Sequence, residues 1–337
     1  MGCGLLQFCH TPALHNMLLM EMISMAALHA RLHWSAAVAA ALLALTGACS
    51  SDGGDSSASD PTGATTSQAP DTGKFVPEYE HAALSEEAKA GQDIARDNKV
   101  IENLTEAMGE IYKLPKDVSV VGMECGSFNA FWDGEADRMV LCYEMFKVAE
   151  DYATLQSEGR ADYFNLYFDG VTRMIAFHES GHMAIDLYTL PATGREEDSA
   201  DQAGALLQLT TPGPAGVGGV AAAADFWFDI SDDPARLNAQ VFADEHSLSQ
   251  VRGYNLLCWD YGALPDALGV LVAEPGQPDQ EGRLPADRAV GCPEEYQKML
   301  ASWSTLLEPY IKVELGVPAE VASGSPGATP TTTTGTR

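Results

Sequence analysis

The sequence predicts an α+β domain with a small antiparallel sheet early and a mostly helical C-terminal part. Three observations carry this. Extended runs around a turn signal cluster between about residues 118 and 142. Apolar positions at helical spacing dominate after about residue 144. The two kinds of segment are segregated along the chain instead of alternating as in βαβ folds.

Taken in order, residues 82–113 read as helical, with Leu84, Ala88, Gly91 and Ala95 on one face and Ile101, Leu104, Met108 and Ile111 on the next. "VSVV" at 118–121 reads as a strand. In "CGSFNAFWDGEADRMVLCYE" the pair Asp133-Gly134 marks a turn between two extended runs, hence a hairpin. A helix follows at about 144–156. A long helix runs from about Ala161 to Tyr188, with Phe164, Phe168, Val171, Ile175, Met183 and Ile185 apolar, and ends ahead of Pro191. "GREEDSADQAGALLQL" opens another helix, with acids in its first turn where the dipole favours them. "GPAGVGGVAAAADFWF" reads as a Gly-rich loop passing into a helix. Further helices are expected at about 233–245, 248–262 and 293–313.

The folded body is expected at residues 78–316, framed by segments of other composition. Residues 1–48 hold one basic and one acidic residue, Arg31 and Glu21. The run "SAAVAAALLAL" has the length of a signal-peptide core and is too short to span a bilayer. Met25, followed by "AALHARLHW", is the expected true start, which makes 1–24 an over-called start. "TGACSS" resembles the lipobox of bacterial lipoproteins, with Cys49 as the lipidated residue. Thr46 stands where that box prefers Leu, so a plain secretory signal cut near Ala48 is the alternative. Residues 49–77, rich in Ser, Asp, Gly and Thr, are expected to be a disordered linker, and 317–337 a disordered tail. The expected location is therefore extracytoplasmic, with the membrane reached through a lipid anchor alone.

The formal net charge is −29, and all but one of the 48 acidic residues follow residue 48. Nucleic acid and anionic lipid are poor partners for such a surface. Four body cysteines, Cys125, Cys142, Cys258 and Cys292, suit two disulfides in an exported chain. Three pairings are possible, and the local one, Cys125 with Cys142 and Cys258 with Cys292, is the simplest. A zinc-thiolate cluster is the alternative, but no close cysteine pair supports it.

The stretch "IAFHESGHMAID" carries the chemistry. His178 and His182 are four residues apart on the long helix, so both imidazoles leave one face and can bind one Zn²⁺ through neutral nitrogen. Glu179 is offset by about 100° around the helix, poorly placed as a ligand but able to reach a water at the metal. This is the physical content of HExxH: two ligands and one base. Of the eight histidines only His81, His178, His182 and His246 lie in the body, and two of these make the pattern. Downstream, Glu197 and Asp201 share a face of the next helix. Glu197 can be the third ligand, and Asp201 can fix the tautomer of a ligating histidine. "TLPATG" lets this helix fold back on the first, and Ala200, Ala203 and Gly204 permit close approach. Glu196 is the competing ligand if the register slips by one; otherwise Glu196 and Asp198 are expected at the surface.

HExxH followed by a Glu-x-x-x-Asp helix resembles the gluzincin group of zinc metallopeptidases. More narrowly, "FHESGHMAIDLYTLPATGREEDSADQ", the hairpin stretch, "EHSLSQVRGYNLLCWDYG" and "CPEEYQKMLASW" together resemble the bacterial "putative metallopeptidase" family, domain of unknown function 4344, over about residues 85–313. The resemblance implies a zincin-like domain, His178, His182 and Glu197 as ligands, and Glu179 as base. "NAFWD" is similar to the Asn-Ala-aromatic edge strand of neprilysin-like peptidases, which makes Asn129 and Ala130 candidates for holding a peptide backbone. A donor to the developing oxyanion is expected from His246, with Arg252 and Tyr254 the other groups available. The expected function is zinc-dependent hydrolysis of a peptide or protein substrate outside the cytoplasm. A non-catalytic zinc-binding surface lipoprotein is the alternative from another class.

Overall fold

The structure is a computed structural model and describes residues 69–231, 237–274 and 283–318. The expected leader, Cys49, most of the linker and the tail from 319 lie outside the described residues, as do 233–236 of one expected helix. The fold is mixed α+β, with a four-stranded sheet early and a helical C-terminal part.

The strands are β1 (Phe75–Tyr79), β2 (Val118–Met123), β3 (Ala130–Asp133) and β4 (Arg138–Cys142), in the order β1-β2-β4-β3. The sheet is not purely antiparallel. β1 runs parallel to β2 and β2 parallel to β4; only the hairpin pair β3–β4 is antiparallel. The cause is the connection between β1 and β2. It passes through two helices, α1 (Glu86–Asp97) and α2 (Val100–Ile111), long enough to return the chain in the same direction. β1 also begins ahead of residue 78. It holds Pro77, which an edge strand tolerates because an outward-facing N–H is not needed there.

The helices after the sheet are α3 (Tyr143–Ser157), α4 (Ala161–Leu187), α5 (Glu196–Thr210), α6 (Pro214–Asp229), α7 (Ala239–Phe242), α8 (Ser249–Ala263), α9 (Ala286–Ala289) and α10 (Cys292–Leu307). α4 is the spine, packed by α3, α5 and α6. It is buried over most of its length from Tyr167 to Ile185, so its apolar positions run round the helix instead of along one stripe.

Small residues bring neighbours close to this spine. A Cβ on Gly204 of α5 would lie 3.0 Å from the His178 nitrogen and 2.9 Å from Met174 Cε. A Cβ on Gly170 of α4 would meet the Gly219 Cα of α6 at 2.8 Å. That contact explains why the Gly-rich stretch after Pro214 is helix and not loop: the glycines are packing residues. Among the described residues of the expected 233–245 helix only α7 is helical. α10 ends at Leu307, earlier than its apolar spacing suggests, because Pro309 follows and Ile311 bridges to Tyr112 instead.

Both disulfides join local partners, Cys125 to Cys142 and Cys258 to Cys292, with Cα atoms 5.5 and 5.1 Å apart. The first closes the hairpin against the end of β2. No helix among the described residues is long and apolar enough to cross a membrane.

Candidate active site

α4 and α5 run back from one another through a loop in which Gly194 takes a left-handed φ of 94°, a conformation glycine adopts without strain. The first turn of α5 therefore lies beside the middle of α4. There His178 Nε2, His182 Nε2 and Glu197 Oε2 stand 3.1 to 3.2 Å from one another.

The outer nitrogens of the two imidazoles are committed elsewhere. His178 Nδ1–H donates to Asp201 Oδ1 at 2.8 Å, and His182 Nδ1–H donates to Glu196 Oε1 at 2.8 Å. These partners assign the tautomers and leave both Nε2 lone pairs facing each other and a carboxylate oxygen. Three electron-rich atoms at that spacing repel unless a cation sits among them. Separations of about 3.2 Å are those of donor atoms arranged tetrahedrally around an ion with bonds of about 2 Å. The residues present fit a zinc-like ion.

Electrostatics agree with that demand. Burial works against ionisation of Glu197, but the imidazoles of His178, His182 and His246 outweigh it and hold its carboxyl far below the usual range. Burial disfavours a charged His178, yet Asp201 and Glu197 outweigh it and raise its pKa to about 9. Without a metal, a proton supplies the missing positive charge.

Asp201 is buried and is itself held by Arg252. Arg252 Nε donates to Oδ2 at 2.8 Å and Nη2 to Oδ1 at 2.6 Å. The guanidinium lies 3.7 Å from the Trp227 ring centroid. Burial raises the Asp201 pKa, but Arg252 and His178 more than offset this and keep the carboxyl well below its ordinary range. The chain of contact Trp227–Arg252–Asp201–His178 thus joins α6, α8, α5 and α4 behind one imidazole.

Glu179 is only 5% exposed and, among the described residues, makes no hydrogen bond; its carboxylate lies 4.0 Å from His178 Nε2. Burial raises its pKa, with the two imidazoles opposing. It lines both cavities that open at this place. One, of about 280 Å³, also takes in Phe128, Met174, Ile175, Trp227 and Ile230. The other, about 220 Å³, takes in Phe131, Trp132, His182, Glu196, Glu197 and Glu245. Asn129, Ala130, His178 and His246 border both.

His246 reaches the site from the loop between α7 and α8. Its Nε2 lies 2.9 Å from Glu197 Oε2, and the Glu197 carboxylate raises its pKa. His178, Glu197 and His246 also lie close enough to share an ion. His182 is the better third donor, because it rides on the same buried helix as His178, whereas His246 is 41% exposed on a loop. Asn129 lies exposed just ahead of β3, its carbonyl accepting from Cys142 N–H at 3.2 Å. Tyr254 packs its ring on Phe228, 4.9 Å between centroids, and borders neither cavity.

Several contacts were not readable from spacing. Glu196 holds the far nitrogen of His182 and is not plain surface, and Asp198 accepts from Ser247 Oγ at 2.7 Å. The only sequence signal for Glu196 is that adjacent positions in a first helical turn diverge by about 100°, so two carboxylates can serve two nitrogens. Trp227 and Ile230 carried no signal at all.

A family model described as "putative metallopeptidase", domain of unknown function 4344, matches residues 79–307, and the chain belongs to that family. No curated protein and no solved structure matches the chain.

Proposed function

We propose that this chain is a zinc-dependent peptidase of gluzincin type with a zincin-like domain, in which His178, His182 and Glu197 hold the metal. The single observation that supports this most is the convergence of two tautomer-fixed imidazole nitrogens and a carboxylate oxygen, beside the buried carboxyl of Glu179. Zinc bound there would supply Lewis-acid polarisation of a carbonyl and make water more acidic.

The chain's own residues do the rest. Glu179 accepts a proton from water as the water oxygen attacks the peptide carbonyl carbon. It then gives that proton to the amine nitrogen as the carbon–nitrogen bond breaks. Its burial suits both tasks, since a raised pKa brings the carboxyl nearer the working pH. His246, at the mouth of both cavities, donates to the oxygen that becomes negative. Asp201 and Glu196 orient the two imidazoles. The edge of β3 away from β4, which pairs with no other strand among the described residues, lies with Asn129 and Ala130 beside Glu179 and receives the substrate backbone as an added strand.

The protein acts outside the cytoplasm, anchored by lipid at Cys49; its two disulfides support an oxidising location. The test is digestion of a mixed peptide pool by the zinc-loaded chain, read by mass spectrometry with and without a chelator. Chelator-sensitive cuts are expected. Their absence, with zinc bound, would leave a zinc-binding surface protein instead.

A further inference from the structure

A third cavity, of about 480 Å³, is larger than either cavity beside Glu179 and shares no lining residue with them. It forms where the end of α5 and the segment Val313–Pro318 meet α2 and α4. Gly316 takes a left-handed φ of 107°, and its N–H donates to Thr210 Oγ1 at 3.0 Å, which holds that segment in place as a wall. Ala107, Ile111, Phe177, Pro212, Leu315 and Val317 make most of the lining apolar. Small-molecule sites commonly have volumes of about 300–1,000 Å³, and this one lies within that range.

One charge borders the cavity without a partner. Arg173 of α4 is half-buried, and its Nε is fully buried with no hydrogen-bond partner among the described residues. Its guanidinium forms no ion pair among them either. Asp169 and Glu110 act on it through their charge alone, and the Phe177 ring centroid lies 5.9 Å away, at the outer edge of a cation–π contact. An arginine stays ionised in such a place, and a buried donor with no acceptor is costly. The other polar side chains of the lining do not meet this need. Thr210 Oγ1 donates to Leu206 O at 2.7 Å, and Thr211 Oγ1 donates to Leu207 O at 3.4 Å. Glu110 and Glu314 are exposed.

We propose that this cavity is a binding site for an alkyl carboxylate, a small fatty acid, whose head group pairs with Arg173 and whose chain lies on the apolar wall. The planar guanidinium matches a carboxylate and gives charge-assisted hydrogen bonds to it. The two glutamates that border the cavity disfavour a doubly charged head such as a phosphate monoester. With both threonine hydroxyls committed, no buried side chain of the lining remains to pair the amides of a peptide, so a plain hydrocarbon chain fits better than a peptide C-terminus. The site does not depend on the peptidase reading.

The experiment is calorimetric titration of the zinc-loaded full chain with octanoate, octan-1-ol, octyl phosphate and N-acetyl-Leu-Leu. Octanoate should bind saturably, at about one per chain, and at least about tenfold more tightly than each of the other three. Its affinity should be the same after the metal is removed. Arg173→Leu should weaken octanoate binding by at least about tenfold and leave octan-1-ol binding nearly unchanged, while Arg173→Lys should recover part of the loss. Ala107→Trp, which fills the cavity from α2, should weaken both, and it decides the matter if Arg173→Leu does not fold. Octan-1-ol binding as tightly as octanoate would make this a plain apolar hole and overturn the proposal. Tighter binding of N-acetyl-Leu-Leu or of octyl phosphate would overturn the ligand class. No saturable octanoate binding, binding that survives Ala107→Trp, or binding lost with the metal would overturn the site; the last would place the carboxylate at the histidines instead.

Discussion

His182 Nε2 faces His178 Nε2 at 3.2 Å, and each ring gives its other nitrogen's hydrogen to a carboxylate. In the metal-free protein a proton must occupy this gap, and His178 is held up to about 9. Zinc binding must therefore expel protons at neutral pH. Calorimetric titrations with zinc at pH 7, in buffers of different ionisation enthalpy, should show release of about one proton or more per ion. Affinity should fall as pH is lowered from 9 to 6. Heats independent of the buffer would show that the imidazoles are already neutral or are not the ligands.

Glu197 and Glu196 are neighbours in one helical turn but meet different atoms. Glu197 faces both Nε2 atoms, whereas Glu196 meets only His182 Nδ1 and is half exposed. Glu197→Ala should strip zinc from the purified chain under mild chelation. Glu196→Ala should weaken binding by about tenfold and leave about one ion per chain, as loss of an orienting carboxylate does. Metal analysis of the two variants in parallel decides this. The opposite ranking would make Glu196 the ligand.

Glu179 Oε1 lies 4.0 Å from His178 Nε2 and has no hydrogen bond among the described residues. Glu179→Gln keeps the shape and removes the base. Zinc content and melting temperature should hardly change, while cleavage of a peptide cut by the natural chain should fall by about 10²–10⁴. Equal turnover by both forms would remove Glu179 from the chemistry.

Local spacing carried much of this fold. His178 and His182 share a helix face because four residues is just over a turn, and Asp133-Gly134 made the β3–β4 hairpin legible. The disulfide pairs were readable because each joins residues at most 34 apart. What stayed hidden depends on partners distant in sequence. β1 has only Phe75 buried and contains Pro77; pairing with β2, not alternation, makes it a strand. The glycines of α6 looked like a loop because the residue that needs them small, Gly170, lies on another helix. Arg252 was visible as a charge near the site, but its bidentate hold on Asp201 spans 51 residues and follows only from how α8 packs. The apolar wall of Trp227 and Ile230 was hidden for the same reason.

Away from the site, α6 presents Asp225 and Asp229 four residues apart on one face, toward the tyrosines of α4. Asp229 is well served: Tyr167 OH donates to it at 2.7 Å and Gln156 Nε2 at 2.9 Å. Among the described residues Asp225 has only a long contact from Tyr163 OH at 3.5 Å. Burial, then the charge of Asp229, raises the Asp225 pKa to about 6. A carboxyl whose pKa is higher folded than unfolded favours the native state below its unfolded pKa, near 4, and loses that contribution as pH rises through about 6. Above pH 6 the ionised Asp225 opposes folding. A shift of this size corresponds to about 3 kcal/mol at most, and partial exposure reduces it to about 1–2 kcal/mol. Asp225→Asn removes the charge and keeps an acceptor for Tyr163. It should raise the melting temperature by a few degrees at pH 8 and leave it nearly unchanged at pH 4, as measured by scanning calorimetry. The same shift at both pH values would point to packing and not to charge. A lower melting temperature at pH 8 would show that the ionised Asp225 holds a partner that stabilises it.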